Sequence, residues 1–220
     1  MLAILFAVAA ALPRYWSVHI DVPAHRAEFE RIDREQAVLR HDILVAHEIE
    51  PLPAFAISTA DGRFMSFRPR QTMSEFDRPS SIPDEVRAEI QKKAGPLDDT
   101  IHRTLREHHN EIWELQRVPT RVDSRRAPKY IRLRTDSVKP GSDKAYEAAM
   151  KRIADDCEKR GISVLAFWSA YGDGTYKTLF MSDTPVHVER LPELVRSTRE
   201  VDATARPDLT ATDAENWLPF

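Results

Sequence analysis

The sequence predicts an α+β protein made of two successive β-α-β-β-α-β units, and three observations carry that prediction. Pro23 is followed six and seven residues later by Phe29-Glu30, and Pro140 at the same interval by Tyr146-Glu147. Ala54-Phe55 stands seven residues before Asp61-Gly62, and Ala166-Phe167 seven before Asp173-Gly174, with Phe64 and Tyr176 two residues further on. Around these landmarks the apolar period switches from strand-like to helix-like and back, once in each half. The offset between the copies falls from 117 to 112, so the first copy carries five extra residues, most naturally in His47 to Pro53.

Each element has its own physical reason. Trp16, Val18, Ile20 and Val22 alternate with Ser17, His19 and Asp21, the period of a half-buried strand, and Pro23 stops it. Phe29, Ile32, Leu39 and Ile43 then form one apolar stripe on a helix. Asp61-Gly62 sits between runs rich in Phe, Ser and Thr and reads as a tight hairpin turn. Two amphipathic stretches follow, Pro83 to Lys93 and Leu97 to His109, with Gly95-Pro96 expected to break them apart. Glu111 to Val118 is the expected fourth strand. In the second half Ile131, Leu133 and Val138 mark a strand, and Tyr146, Met150, Ile153 and Cys157 a helix that ends at Lys159-Arg160-Gly161. Asp173-Gly174 gives the second hairpin, Thr184 to Leu194 allows only a brief helix, and Arg196 to Ala203 is the expected last strand.

Composition removes many functions. The chain has 220 residues, 32 Lys+Arg against 35 Asp+Glu, a formal charge of −3, six Gly and one Cys. One cysteine excludes an internal disulfide framework, Cys-type zinc sites and iron–sulfur clusters, and the six glycines form neither GxGxxG nor a phosphate loop. The near-neutral charge argues against nucleic acid as a partner. Residues 1–12, MLAILFAVAAAL, are too short to span a bilayer as a helix, and their length fits a signal-peptide core or a hydrophobic arm. The expected organisation is therefore 1–13 signal peptide or arm, 14–118 first unit, 119–128 basic linker, 129–210 second unit and 211–220 tail, in a protein exported to the periplasm or its membrane face.

Candidate chemistry is scattered. His19 lies on the first strand, His109 and Trp113 near the end of the first unit, and Trp168 in the second. Read as helical, His108 and His109 point about 100° apart and cannot share a metal, so no metal site is expected. Arg117, Arg121, Arg125, Arg126, Lys129, Arg132 and Arg134 outnumber Asp123 by six in an otherwise acidic chain. All of these cations but Arg134, together with Trp217 and Phe220 of the tail, form the expected docking residues for an acidic protein, an anionic membrane surface or a membrane protein complex.

The β-α-β-β-α-β order is ferredoxin-like. The tandem repeat, the Pro140-Gly141 start with Tyr146-Glu147, and the late Asp-Gly hairpin resemble the dimeric α+β barrel superfamily, meaning the antibiotic biosynthesis monooxygenase-like and NIPSNAP-like proteins, and in particular exported tandem members from bacteria. The resemblance covers roughly residues 14–210 and implies that the two ferredoxin-like units pack as one barrel within the chain. It also implies a pocket between sheet and helices where a Trp, His or Asn orients an aromatic ligand, or a His binds haem iron. No catalytic motif accompanies these residues. The expectation from sequence is thus a non-catalytic, cofactor-free accessory protein, docked to a larger membrane-associated assembly. The alternative is a cofactor-independent monooxygenase-like or haem-binding enzyme acting on an aromatic or tetrapyrrole ligand.

Overall fold

The computed structural model describes residues 12–49, 55–76, 82–121 and 128–206. Strand β1 (Tyr15–Pro23) leads into α1 (Arg26–Ala46), the hairpin β2 (Phe55–Thr59) and β3 (Phe64–Arg70), α2 (Asp84–Thr104) and β4 (Leu105–Leu115). The second half runs β5 (Tyr130–Val138), α3 (Asp143–Lys159), the hairpin β6 (Ser163–Tyr171) and β7 (Tyr176–Ser182), and β8 (Val195–Ala205). All eight strands pair antiparallel in one closed barrel of order β1-β3-β2-β8-β5-β7-β6-β4. Read from β4, the ring is β4-β1-β3-β2 followed by β8-β5-β7-β6, the same order in each half. Closure removes the open sheet edges that would otherwise template aggregation.

Alternation sends Trp16, Val18 and Ile20 of β1 into the barrel, where Phe55, Phe67, Trp113 and Phe167 meet them. The rings fill the interior by stacking and edge contacts: Phe55 lies flat on Phe67 at 4.3 Å between centroids, and Trp16 meets Phe167 edge-on at 5.8 Å. The helices cover the outer face. Phe29 and Ile32 of α1 pack with Phe64 and Ile101, while Tyr146, Met150, Ile153 and Cys157 of α3 pack with Val164, Tyr176 and Phe180. Gly62 and Gly174 adopt φ of +89° and +62°, which is why Asp-Gly serves both hairpins.

Three elements differ from expectation. Gly95-Pro96 does not break α2, because Val86, Ile90 and Ala94 are buried against Ile43 and Leu44 of α1, and that burial outweighs the missing Pro96 N–H. Leu105 to His109 is strand and not helix, since β1 continues to Pro23 and takes Leu105 to Glu114 as partners. Residues 184–194 are irregular apart from a turn at 192–194 and form no helix. Eight residues, 47–54, separate α1 from β2, and three, 160–162, separate α3 from β6, a difference of five. Among the described residues no helix is long and apolar enough to cross a membrane.

Candidate functional site

With Trp16, Val18 and Ile20 turned inward, alternation places His19 and Asp21 together on the outer face of β1, beneath α1 and α2. They line a cavity of about 90 Å³ whose walls include Phe29 and Asp33 of α1, Phe64 and Arg68 of β3, and His102 of α2. His19 Nδ1 lies 2.8 Å from Asn110 Oδ1, and its Nε2 lies 3.0 Å from Asp21 Oδ1. That second contact is close but poorly aligned, so the buried Asp21 Oδ1 makes no hydrogen bond. Burial works against a charged His19, yet the Asp21 carboxylate outweighs it with help from Asn110, and the His19 pKa is raised despite Arg68. Arg40 and Gln36 hold Asp98 across the helix pair at 3.1 and 2.7 Å, which fixes one wall.

The second half has the same framework with different contents. Asp21 pairs with Phe64 across β1 and β3, and Asp136 pairs with Tyr176 across β5 and β7. Counted from these pairs, His19 matches Arg134, and Ala56 beside Ser66 matches Ala166 beside Thr178. Phe29 meets Phe64 at 4.7 Å with the rings tilted by 44°, and Tyr146 meets Tyr176 at 4.6 Å and 43°. Here the hydroxyl of Tyr146 donates to Asp136 Oδ2 at 2.7 Å, Thr198 donates to Oδ1, and Arg134 Nε sits 2.6 Å from Oδ2. Burial first, and then the Asp136 charge, push the Tyr146 pKa far up, so the phenol keeps its proton. Only about 10 Å³ of space is left beside Tyr146, Met150, Ala166, Tyr176 and Thr178. The second site is closed by its own side chains, and the first is open.

The remaining sequence candidates are dispersed. Trp113 is fully buried in the barrel, where Nε1 donates to Glu111 Oε2 at 2.6 Å. Its strand puts His109 at the barrel end, half-exposed and 3.4 Å from Glu111, while His108 on the opposite face stands edge-on to His19 at 6.2 Å. Trp168 lies outside the barrel against Tyr176. Arg121 is tied to Asp155 of α3 at 2.7 Å, Arg132 is held by Asp202, and Arg117 and Lys129 are exposed. Arg125, Arg126, Trp217 and Phe220 lie outside the described residues. Sequence reasoning missed Asp21 and Arg68; the i, i+2 spacing of His19 and Asp21 was the available signal, whereas Arg68 carries none in one dimension.

The residues around His19 do not fit haem. Nδ1 faces Asn110 Oδ1 at 2.8 Å and Nε2 faces Asp21 Oδ1 at 3.0 Å, so a protein oxygen stands where an axial bond to iron would have to form at either nitrogen. A cavity of about 90 Å³ is also well below the roughly 300–1,000 Å³ that holds drug-sized ligands, and the barrel interior is packed with rings. Among the described residues no three His, Cys, Asp or Glu side chains stand where they could hold a metal ion.

No family model and no curated protein matches this sequence. Solved structures do. A candidate monooxygenase of Lactobacillus acidophilus is similar over 91% of this chain and 96% of its own, at 11% identity and a TM-score of 0.52. An anthrone oxidase-like protein is similar over 90% of this chain and 94% of its own, at 10% identity and a TM-score of 0.53. A mutant chlorite dismutase of Candidatus Nitrospira defluvii, solved with cyanide, covers 94% of this chain and 98% of its own at 8% identity and a TM-score of 0.51. The likeness establishes the fold. It also corrects the expectation of a non-catalytic accessory protein, which rested on the lack of a catalytic motif: proteins with enzyme names share this barrel at 8–11% identity, so a missing linear motif is no sign of inactivity in this fold.

Proposed function

We propose that the chain is a cofactor-independent monooxygenase-like enzyme whose substrate is an aromatic molecule bearing a phenolic or enolic hydroxyl. The observation that carries this reading is the contrast between the halves. In the second, a tyrosine hydroxyl donates to Asp136; in the first, the matching ring is Phe29, the matching carboxylate oxygen of Asp21 lacks a hydrogen bond, and a cavity adjoins it. A substrate hydroxyl fills that role. The ring edge that bears it enters the cavity, and the rest of the molecule extends toward solvent. This reading takes the chain as two tandem ferredoxin-like units, 14–118 and 129–210, of which only the first works.

In this scheme Asp21 accepts a hydrogen bond from the substrate hydroxyl and then takes its proton, His19, held by Asn110, stabilises the anion so formed, and the proton leaves in the water that is released. The electron-rich anion is oxidised by dioxygen. For a ring methylene the balance is CH2 + O2 → C=O + H2O, with one oxygen atom retained in the product and the other released as water. The low-dielectric lining of Phe29, Phe64 and Ile101 strengthens the electrostatic contacts.

Oxygen uptake with anthrone, 1-naphthol and hydroquinone tests this, alongside NMR titration of the His19 ring resonances with each compound. Uptake that His19→Gln lowers about 100-fold is expected for loss of a group that stabilises developing charge. Neither uptake nor any His19 shift across the panel overturns the proposal.

A further inference from the structure

A second concavity lies at the seam between the halves, on the outer face of β2, β8 and β5, which none of the described helices crosses. It has a volume of about 410 Å³, large enough for a drug-sized ligand or a few side chains. Its floor is formed by Ser58, Thr204 and Asp202, with Lys129, Tyr130 and Arg132 along one side, Arg26 of α1 on the other, and Pro185-Val186 as a wall. Of the cations lining it, Arg26 is paired with Glu30 at 2.7 Å and Arg132 with Asp202 at 2.8 Å, so Lys129 is the charge the groove offers to an occupant. Tyr130 is 46% exposed, and Pro185 beside it is also exposed.

We infer that this groove is the docking surface for the chain's own C-terminal segment, residues 207–220. Three observations select that occupant. The segment leaves the barrel at the groove's edge, since β8 ends at Ala205 and the Arg206 amide donates to the Ala56 carbonyl at 2.9 Å, two residues past Thr204. Its charge is complementary: PDLTATDAENWLPF carries Asp208, Asp213 and Glu215 and no Lys, Arg or His. Its length suffices, because residues 207–220 span roughly 45 Å when extended, while β8 and β5 are neighbours only about 5 Å apart. The acidic groups meet Lys129, and Trp217 covers Tyr130, Pro185 and Val186, which places a large aromatic over a seam that none of the described helices crosses.

Carbodiimide cross-linking of the full chain, read by mass spectrometry over a range of protein concentrations, tests the assignment independently of any enzymatic activity. A link from Lys129 to Asp213 or Glu215 is expected, with a yield that does not change with protein concentration. The yield should fall sharply between 0.1 M and 1 M salt, as the screening length contracts from about 10 Å to about 3 Å. In parallel, the fluorescence of Trp217, isolated as the difference from Trp217→Phe, should move to longer wavelength in Arg132→Glu. Links that form only between chains and grow with concentration would overturn the intrachain assignment in favour of a second copy. Absence of the Lys129 link together with a solvent-exposed Trp217 spectrum in the wild type would overturn it altogether.

Discussion

The hydroxyl of Tyr146 donates to Asp136 Oδ2 at 2.7 Å, and the residue in the matching place of the other half is Phe29, which has no hydroxyl to offer Asp21. With Arg134 and Thr198 that hydroxyl completes a closed polar network around Asp136, whereas Asp21 borders an open cavity. Two variants exploit that difference.

Tyr146→Phe removes a donor from a carboxylate that is fully buried. The expected loss of stability is about 1–3 kcal/mol, the cost of leaving part of a buried charged acceptor unsatisfied. Urea unfolding measures it, and oxygen uptake with the phenolic panel should be unchanged because the second half takes no part in it.

Phe29→Tyr is expected to do the reverse. The added hydroxyl reaches Asp21 as Tyr146 reaches Asp136, and the new side chain occupies the cavity. Ligand-induced shifts of the His19 resonances should vanish while the midpoint of urea unfolding holds or rises. A variant that still binds 1-naphthol as wild type does would show that the cavity beside Asp21 is not the binding site.

His19 gives the fold a pH dependence of known sign. Its pKa is raised above 6.5 in the folded chain, so the stability it contributes is complete below the unfolded value and is lost as pH rises through the folded one. The stability difference between wild type and His19→Gln should therefore be largest below pH 6.5 and shrink as pH rises above it. A difference that grows with pH would mean that His19 is held neutral.

Gly172 is required for packing, not for its backbone angles. A Cβ there would lie 2.5 Å from Ser169 Oγ and 3.0 Å from the Glu111 carboxyl carbon. Neither neighbour can yield freely, because Glu111 accepts from Trp113 and Ser169, with Lys177 3.8 Å away. Gly172→Ala should cost about 1–3 kcal/mol, because the added methyl presses on the buried Ser169 and Glu111 side chains. Thermal unfolding checks it, and a change below about 0.5 kcal/mol, the usual range for surface substitutions, would show that the cluster relaxes.

Elements whose information is local are legible in the residues alone. Alternation over Trp16 to Val22 defines β1, the stripes Phe29 to Ile43 and Tyr146 to Cys157 define α1 and α3, and the two Asp-Gly pairs need the left-handed glycine φ that both hairpins show. Alternation also puts His19 on the opposite face from the apolar residues of its strand. Tertiary structure decided what depends on partners. Gly95-Pro96 continues as helix because α1 buries its flanking turns, and Leu105 to His109 is strand because β1 needs hydrogen-bonding partners to its end. Barrel closure turned Trp113 into core filling and left His109 at the rim, though the two stand four residues apart on one strand. Local pattern says which face of an element is polar. What then stands opposite that face, a tyrosine hydroxyl in one half and an open cavity in the other, follows from strand register and helix packing between residues far apart in the chain.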